Sequence, residues 1–331
     1  MIDNKAILIT GGTGSFGRHF VNHVVKTSKP RRLVIFSRDE LKQYEMQLQL
    51  SHEQYPFLRY FIGDVRDGAR LEMAMRGIDY VIHAAALKQV PVAEYNPFEC
   101  VHTNVLGAEN VVQAAIRAGV KKVISLSTDK AASPINLYGA TKLAADKIFV
   151  AANNLTGKQG AHFSVVRYGN VVGSRGSVIP LFRRAVERGD AYLPITDHRM
   201  TRFLITLSQG VEFVIESLFR MQGGEIFVPK IPSIKISDLA EVVGNGIPYK
   251  AIGVRPGEKL HETLITSDDA RSTLDMDDHF VICPMFPFSD PEHEREWNGK
   301  IVAEDFSYSS NTNSEFLDQA GIKRLLEEAG C

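Results

Sequence analysis

Tyr138-Gly139-Ala140-Thr141-Lys142 sets a phenol and an ammonium four residues apart, which on a helix means one face. A tyrosine is a poor base near neutrality, its ordinary pKa being about 10. A neighbouring cation favours the phenolate, and the same lysine can hold a ribose. Tyr138 follows ten residues after Thr128, in Ser127-Thr128-Asp129-Lys130, which adds a hydroxyl, an acid and a second amine. Oxidising an alcohol needs only the hydroxyl and the tyrosine; the extra acid and amine suit a second reaction. Once a sugar is a ketone at C4, its C5 hydrogen is acidic and its C6 hydroxyl is a β leaving group. Loss of water then wants a base at C5 and an acid at O6, roles that Lys130 and Asp129 can fill. Lys130 must first lose its proton. Burial and Lys142 are therefore expected to bring its pKa down from about 10.4 towards about 7–8, against the opposing charge of Asp129. Asp129 must be protonated when it acts, so the two are expected to share one proton. Without Tyr138, the same residues would read as a surface Asp-Lys turn.

A second cluster, Thr10-Gly11-Gly12-Thr13-Gly14-Ser15-Phe16-Gly17, lies between an apolar run and an amphipathic one. Glycines 12, 14 and 17 complete G-x-G-x-x-G: one permits the tight turn, one lets backbone approach a diphosphate, one lets helix and strand pack closely. The positive end of the helix then faces the anion. After the second strand, Ser37-Arg38 offers a hydroxyl and a guanidinium suited to a 2′-phosphate, so NADP is expected over NAD although Asp39 follows at once. Asp64-Val65, past the third strand, is expected to bracket the adenine; the alternative for Asp64 is a cap on the next helix.

Positioning these groups requires a frame. Ala6–Thr10, Leu33–Phe36, Tyr60–Ile62, Tyr80–His83, Lys122–Leu126 and Phe163–Arg167 read as strands, alternating with helix-period segments. Phe16, Phe20, Val21, Val24 and Val25 share one helical face before the stop at Pro30, and Asn110–Ala118 is a short helix closed by Gly119, its apolar residues facing either a core or a partner. The pattern is that of an α/β fold, a Rossmann-like doubly wound parallel sheet with its ligand beyond the C-terminal strand ends. After about residue 168, glycines and Pro180 break the rhythm. The expectation is a cofactor-binding domain over 1–168 and a smaller C-terminal substrate-binding domain over 169–331, with Gly210–Arg220 (helix) and Glu225–Pro229 (strand) folding back onto the first. Residues 288–314, rich in Glu, Asp, Ser and Asn, read as surface or mobile structure.

Among 331 residues, 38 Lys+Arg against 39 Asp+Glu leave a formal charge of −1, which argues against nucleic acid or an anionic membrane as main partner. No unbroken apolar run approaches the roughly 18 residues of a membrane span. Asp3 and Lys5 stand where a secretory signal would be apolar, so a cytoplasmic protein is expected. Cys100, Cys283 and Cys331 are too scattered for a disulfide framework or zinc site, and the first two read as packing residues. His261-Glu262 opens like a metalloprotease helix, but position 265 is Ile, so no metal is expected. His83 reads as structural or pocket-lining.

Taken together, Gly11–Gly17, Phe36–Lys42, Gly63–Asp67, His83–Lys88, Ser127–Ala131, Tyr138–Lys142, Arg167–Val178 and Arg255–Lys259 resemble the extended short-chain dehydrogenase/reductases. More narrowly, they resemble the branch that dehydrates UDP-N-acetylglucosamine across C5 and C6 with inversion at C5. The resemblance spans essentially the whole chain and is weakest over 288–314. It implies oxidation at C4 by Tyr138, C5 proton removal by Lys130, loss of the C6 hydroxyl assisted by Asp129, an NADP regenerated each turnover, and an entry step to pseudaminic acid biosynthesis and flagellin glycosylation. It assigns Thr13, Gly14, Ser15, Phe16, Ser37, Arg38, Asp39, Glu40, Leu41, Lys42, Asp64, Val65, Ala84, Leu126, Ser127, Tyr138, Lys142, Val171, Val172, Gly173, Ser174 and Arg175 to the cofactor. Lys88, Asn170, Val178, Thr196, Arg255 and Glu258 go to the nucleotide sugar. Arg255 suits a diphosphate, and sequence does not rank Arg199 and Arg202 below it. C5-retaining dehydratases commonly carry Asp-Glu where this chain has Asp129-Lys130, and membrane-bound relatives with Asp-Lys commonly have Met at the place of Tyr138; both positions favour inversion. Relatives assemble as dimers or larger rings, which makes a homo-oligomer the expectation. The competing enzyme is a UDP-sugar 4-epimerase, in which Asp129-Lys130 has no necessary role.

Overall fold

Six parallel strands form one side of the sheet, with β3 at its edge: β1 (Ala6–Thr10), β2 (Arg32–Ser37), β3 (Leu58–Ile62), β4 (Tyr80–His83), β5 (Lys122–Leu126) and β6 (His162–Val166), in the order 3-2-1-4-5-6. Their bounds match the sequence reading to within two residues. Every residue of β1 is buried, as are five of six in β2, because helices cover both faces. The computed structural model describes residues 2–156, 160–174, 176–286 and 297–331. Arg175 and the stretch 288–296, both named above, lie outside the described residues.

Strand order reverses between β1 and β4, so their C-terminal ends, Thr10 and His83, flank the crevice where such sheets hold ligands. Helix α1 (Ser15–Thr27) buries Gly17, Phe20, Val21 and Val24, and ends ahead of Pro30. The helix expected over Asn110–Ala118 begins earlier, at Gly107, because a π-helical turn, His102–Leu106, runs into it; Gly119 closes it. Val111, Val112, Ala114 and Ala115 are buried, in contact with α3 (Gly68–Met75), so these apolar residues face the chain's own core.

The second half adds to this sheet. Ile226–Pro229 lies parallel to β6, and His279–Ile282, Thr273–Asp275 and Lys300–Ile301 continue antiparallel to a total of ten strands. Helix Leu207–Arg220, opened by a Thr206/Gln209 capping box, packs on α1. A separate apolar cluster, including Val172, Phe182, Leu193, Leu204, Leu239 and Ile322, draws only on residues after 168. No helix of the described residues is long and apolar enough to cross a membrane.

Most of residues 297–314 lie at the surface, as read, but Trp297, Tyr308 and Ser310 turn inward. Trp297 packs edge-on against Phe227, and the buried Tyr308 ring sits 4.8 Å from that of Phe203. Tyr308 Oη donates to the Ile231 carbonyl and accepts from the Ile231 amide, both at 2.9 Å. Ser310 is fully buried, 2.7 Å from Thr201 Oγ1 and accepting the Glu262 amide at 3.0 Å. Composition does not mark these inward positions, where the polar side chains satisfy buried groups rather than face water. Tyr308→Phe would leave the Ile231 amide unpaired in the core, while the Ile231 carbonyl keeps its second donor, Asn313 Nδ2, at 2.9 Å. A loss of about 1–3 kcal/mol in urea-unfolding free energy is expected; unchanged stability would show that water reaches this contact.

Candidate active site

Helix Leu137–Ala151 starts at Asn136, whose Oδ1 accepts the Gly139 amide at 2.8 Å. Tyr138 thus falls in the first turn. A Cβ at position 139 would collide with the Lys130 carbonyl oxygen; glycine there lets the 3-10 turn Asp129–Ala131 rest on the helix. Thr128 caps that turn, its hydroxyl accepting the Lys130 amide at 3.4 Å and donating to Asp129 Oδ1 at 3.0 Å. Thr128, Asp129, Lys130 and Tyr138 are therefore brought together.

Lys130 Nζ lies 3.0 Å from Asp129 Oδ1 and 3.2 Å from Glu262 Oε1, and Arg202 Nε is 3.8 Å from the same Glu262 oxygen. Asp129 and Glu262 are 0% and 1% exposed. Burial alone would lower the Lys130 pKa, but the charges of Asp129 and Glu262 outweigh it and hold the ammonium well above the usual lysine range. This corrects the expected fall. Lys142 turns away from Lys130, donating to the Leu126 carbonyl at 2.7 Å, and its own pKa is lowered by burial against the pull of Asp146. Burial pushes the Tyr138 phenol up to about 12, and the opposing cation is Lys130, helped by a Thr128 hydrogen bond. The expectation that Lys142 stabilises the phenolate is corrected accordingly.

Sequence reasoning missed two residues here. Glu262 was weighed only as half a zinc motif; the usable signal was an acid leading directly into the apolar strand Thr263–Ile265. Burial, then Asp129, raises its pKa. Asn104, in the π-helical turn, donates to the Leu87 carbonyl at 2.9 Å and Thr141 Oγ1 at 3.1 Å, and accepts the Leu87 amide at 2.8 Å. It ties the loop carrying Lys88 to the Tyr138 helix, and nothing in its sequence neighbourhood announces that. Lys88 is lowered by burial and then by Lys130, so it faces the same cluster.

At the glycine-rich turn, a Cβ on Gly17 would stand 2.5 Å from Gly12 Cα. No side chain caps the N-terminus of α1. A helix end whose donors are left to an outside partner fits a diphosphate. Thr10 Oγ1 accepts the amides of Ala84 and Ala85 at 3.1 and 3.2 Å and meets His83 Nδ1 at 2.9 Å. Ser37 Oγ accepts from Gln43 at 2.9 Å, and the half-exposed Arg38 lies 3.5 Å from Asp64. Asp67 caps α3, not Asp64, whose carboxylate takes three hydrogen bonds from Arg66, two from the guanidinium at 2.9 and 2.7 Å and one from the amide at 3.0 Å. Although burial would raise Asp64, Arg66 and Arg38 hold it below the usual carboxylate range. Asp39 caps helix α2 (Glu40–Gln49), accepting the Lys42 amide at 3.0 Å and pairing with its ammonium. Leu41 projects outward, 65% exposed.

On the other wall, Thr196 Oγ1 donates to Glu258 at 3.2 Å. Asn136 Nδ2 reaches the Gly257 carbonyl and Lys259 Nζ the Ala132 carbonyl, both at 2.7 Å, bringing the Arg255–Glu258 loop to the Tyr138 helix. Asn170 and Val171 form a short strand beside Thr201–Ile205, and Val178 opens helix Val178–Arg188. Val172 is buried in the second core cluster, and Ser174 accepts the Ser177 amide at 3.0 Å. Arg202 is corrected as a phosphate candidate. It is buried, giving its donors to the Thr201, Leu260 and Lys259 carbonyls at 2.7, 3.0 and 2.9 Å. Arg199 is bound to Asp197 at 2.9 and 3.0 Å. Arg255 is exposed and makes no ion pair among the described residues, which leaves it the available guanidinium.

A family model described as "Polysaccharide biosynthesis protein" matches residues 7–284. The chain is 53% identical to the UDP-N-acetylglucosamine 4,6-dehydratase (inverting) of Campylobacter jejuni subsp. jejuni serotype O:2, over 99% of this chain and 98% of that protein. It is 43% identical to the UDP-glucose 4-epimerase of Rickettsia canadensis, over 98% and 96%. The X-ray structure of Pen from Bacillus thuringiensis aligns with a TM-score of 0.89 at 37% identity, over 100% of this chain and 99% of that one.

Burial, then the charge of Lys142, pushes the His83 imidazole down to about 3 from an ordinary 6.5. Between those values the unfolded chain binds the extra proton, so this contribution is complete above pH 6.5 and lost as pH falls towards 3. His83→Gln should flatten the fall of unfolding free energy between about pH 6.5 and about pH 4 by up to one proton's slope, read in urea melts. Parallel wild-type and variant curves would rule out a neutral buried imidazole.

Proposed function

The chain belongs to the polysaccharide biosynthesis protein family and to the extended short-chain dehydrogenase/reductases, and from that footing we propose that it is an NADP-dependent UDP-N-acetylglucosamine 4,6-dehydratase that inverts C5. The observation that carries the reading is the Asp129-Lys130 pair, a buried carboxylate joined to a partly exposed ammonium beside Tyr138. Oxidation and reduction at C4 need the phenol and a hydroxyl; an adjoining acid and amine serve elimination.

Bound at the α1 turn, with Arg38, Ser37 and Lys142 along it, NADP would supply the oxidant for C4 and the reductant for C6, regenerated each turnover. Asp39 is occupied as a helix cap, which favours Arg38 and the phosphorylated form. Tyr138 takes the O4 proton, with the Thr128 hydroxyl beside it. Lys130 and Asp129 start as ammonium and carboxylate; passing one proton between them gives amine and carboxylic acid together, arming base and acid in one step. Lys130 then removes the C5 proton and Asp129 protonates O6 as water leaves. Arg255, Lys88, Asn170, Val178, Thr196 and Glu258 would hold the nucleotide sugar. On this reading the product opens pseudaminic acid biosynthesis, in a cytoplasmic setting that agrees with three free thiols.

The relative named as a UDP-glucose 4-epimerase favours a second reading. Mass spectrometry of UDP-N-acetylglucosamine after incubation with protein and NADP separates them. Loss of one water is expected, whereas an isomer of unchanged mass would support epimerisation. In D2O, coupling constants of the earliest product should report inversion at C5, and retention would refute that part. Lys130→Ala should abolish water loss while keeping cofactor affinity; dehydration near the wild-type rate would remove Lys130 as the base.

A further inference from the structure

Six charged or titratable groups surround the Lys130 ammonium: Asp129 on its own turn, Glu262 ahead of strand Thr263–Ile265, Arg202 on strand Thr201–Ile205, Lys259 on the adjoining loop, Lys88 after β4, and Tyr138 on the helix below. Two of them are carboxylates in contact with Nζ. The proposed elimination gives work at the substrate to only one, Asp129.

The elimination assigns the other. When Lys130 takes the C5 proton, Asp129 must already be protonated in order to serve O6. A neutral Asp129 no longer offsets the positive charge appearing on Nζ. Glu262 Oε1 is 3.2 Å from that nitrogen, on a side chain 1% exposed, where little water screens the charge. Its backbone is clamped, the amide donating to Ser310 Oγ at 3.0 Å and the carbonyl accepting the Ser310 amide at 2.8 Å. Its second oxygen, Oε2, is buried without a hydrogen-bond partner among the described residues. Burial and the Asp129 charge raise the carboxylate's proton affinity, and Lys130 and Arg202 oppose that rise; once Asp129 is neutral, its share is gone and Glu262 carries the counter-charge beside the amine.

We propose that Glu262 is a positioning residue for the elimination: it stays beside Lys130 as the counter-ion that stabilises the ammonium while the C5 proton is being removed. The step balances as written. The C5–H bond breaks and an Nζ–H bond forms; the C5 electron pair becomes the C5–C6 double bond; the C6–O6 bond breaks; the Asp129 carboxyl proton goes to O6 and leaves in water. Lys130 ends as ammonium, Asp129 as carboxylate, and Glu262 is unchanged in charge throughout. The inference rests on the dehydratase reading above.

Glu262→Gln keeps size and removes charge, and two opposed effects are expected from it. The amine becomes a weaker base, so kcat falls about 10- to 100-fold while KM and cofactor affinity hold. Loss of the negative neighbour lowers the Lys130 proton affinity, so the acid limb of the kcat–pH profile moves down by about one to two pH units. A merely structural role would lower activity without moving that limb. Oxidation at C4 does not use Glu262, so rapid mixing of the variant with UDP-N-acetylglucosamine should show reduced cofactor accumulating by absorbance before water is lost. Wild-type kcat and an unmoved limb in E262Q would overturn the inference alone, and a raised KM at full kcat would reassign Glu262 to binding. A wild-type protein that releases no water would instead overturn the dehydratase reading, and this inference with it. Should E262Q fail to fold, Glu262→Asp decides: the charge is retained but set back, so kcat should fall less than tenfold with the limb near its wild-type place, and wild-type kcat would again overturn the proposal.

Discussion

One ammonium, its side chain 26% exposed, between two buried carboxylates organises this protein. Burying any of the three groups alone would cost several kcal/mol, and the geometry permits all of them only because Lys130, Asp129 and Glu262 are joined, with Arg202 behind. The contact also sets the chemistry. The same carboxylates that let an ammonium exist in the interior raise its proton affinity, so a neutral Lys130 has to come from redistribution of protons inside the cluster rather than from simple burial.

That constraint reaches into the fold. Asp129 and Lys130 come from the turn after β5, Glu262 and Arg202 from segments more than seventy residues later. Their alignment depends on ties between the halves, Asn136 to Gly257 and Lys259 to Ala132, and on Ser310 joining Thr201 to Glu262 within the second half. The strands that extend the sheet past β6 serve the same end, anchoring the second half to the first through the backbone. The glycine-rich side is simpler, since one βα turn and its helix build most of it locally.

What sequence made legible follows from that difference. The six strands, α1, the glycine turn and the Tyr138 helix are governed by periodicity, caps and short-range sterics, and Gly17 and Gly139 are required by backbone contacts that their own motifs bring about. Asp129, Lys130 and Tyr138 were legible as candidates because residue type and spacing already limit their chemistry. Within the mostly exposed tract 297–314, the inward turn of Tyr308 and Ser310 was not legible because composition counts polar groups without knowing whether backbone or water will satisfy them; these two meet backbone.

Sequence by itself determined the fold class, the glycine-rich turn and the candidates Lys130 and Tyr138, all of which rest on contacts within a few residues or one βα unit. Tertiary structure alone decided the charge state of Lys130, the partner of that charge, and which arginine is left to face an anion. Glu262 approaches Lys130 from 132 positions away, and Arg202 is spent on carbonyls of residues 201, 259 and 260 while Arg255 is exposed. Electrostatic energy depends on distance and burial in space, and neither is a function of spacing along the chain.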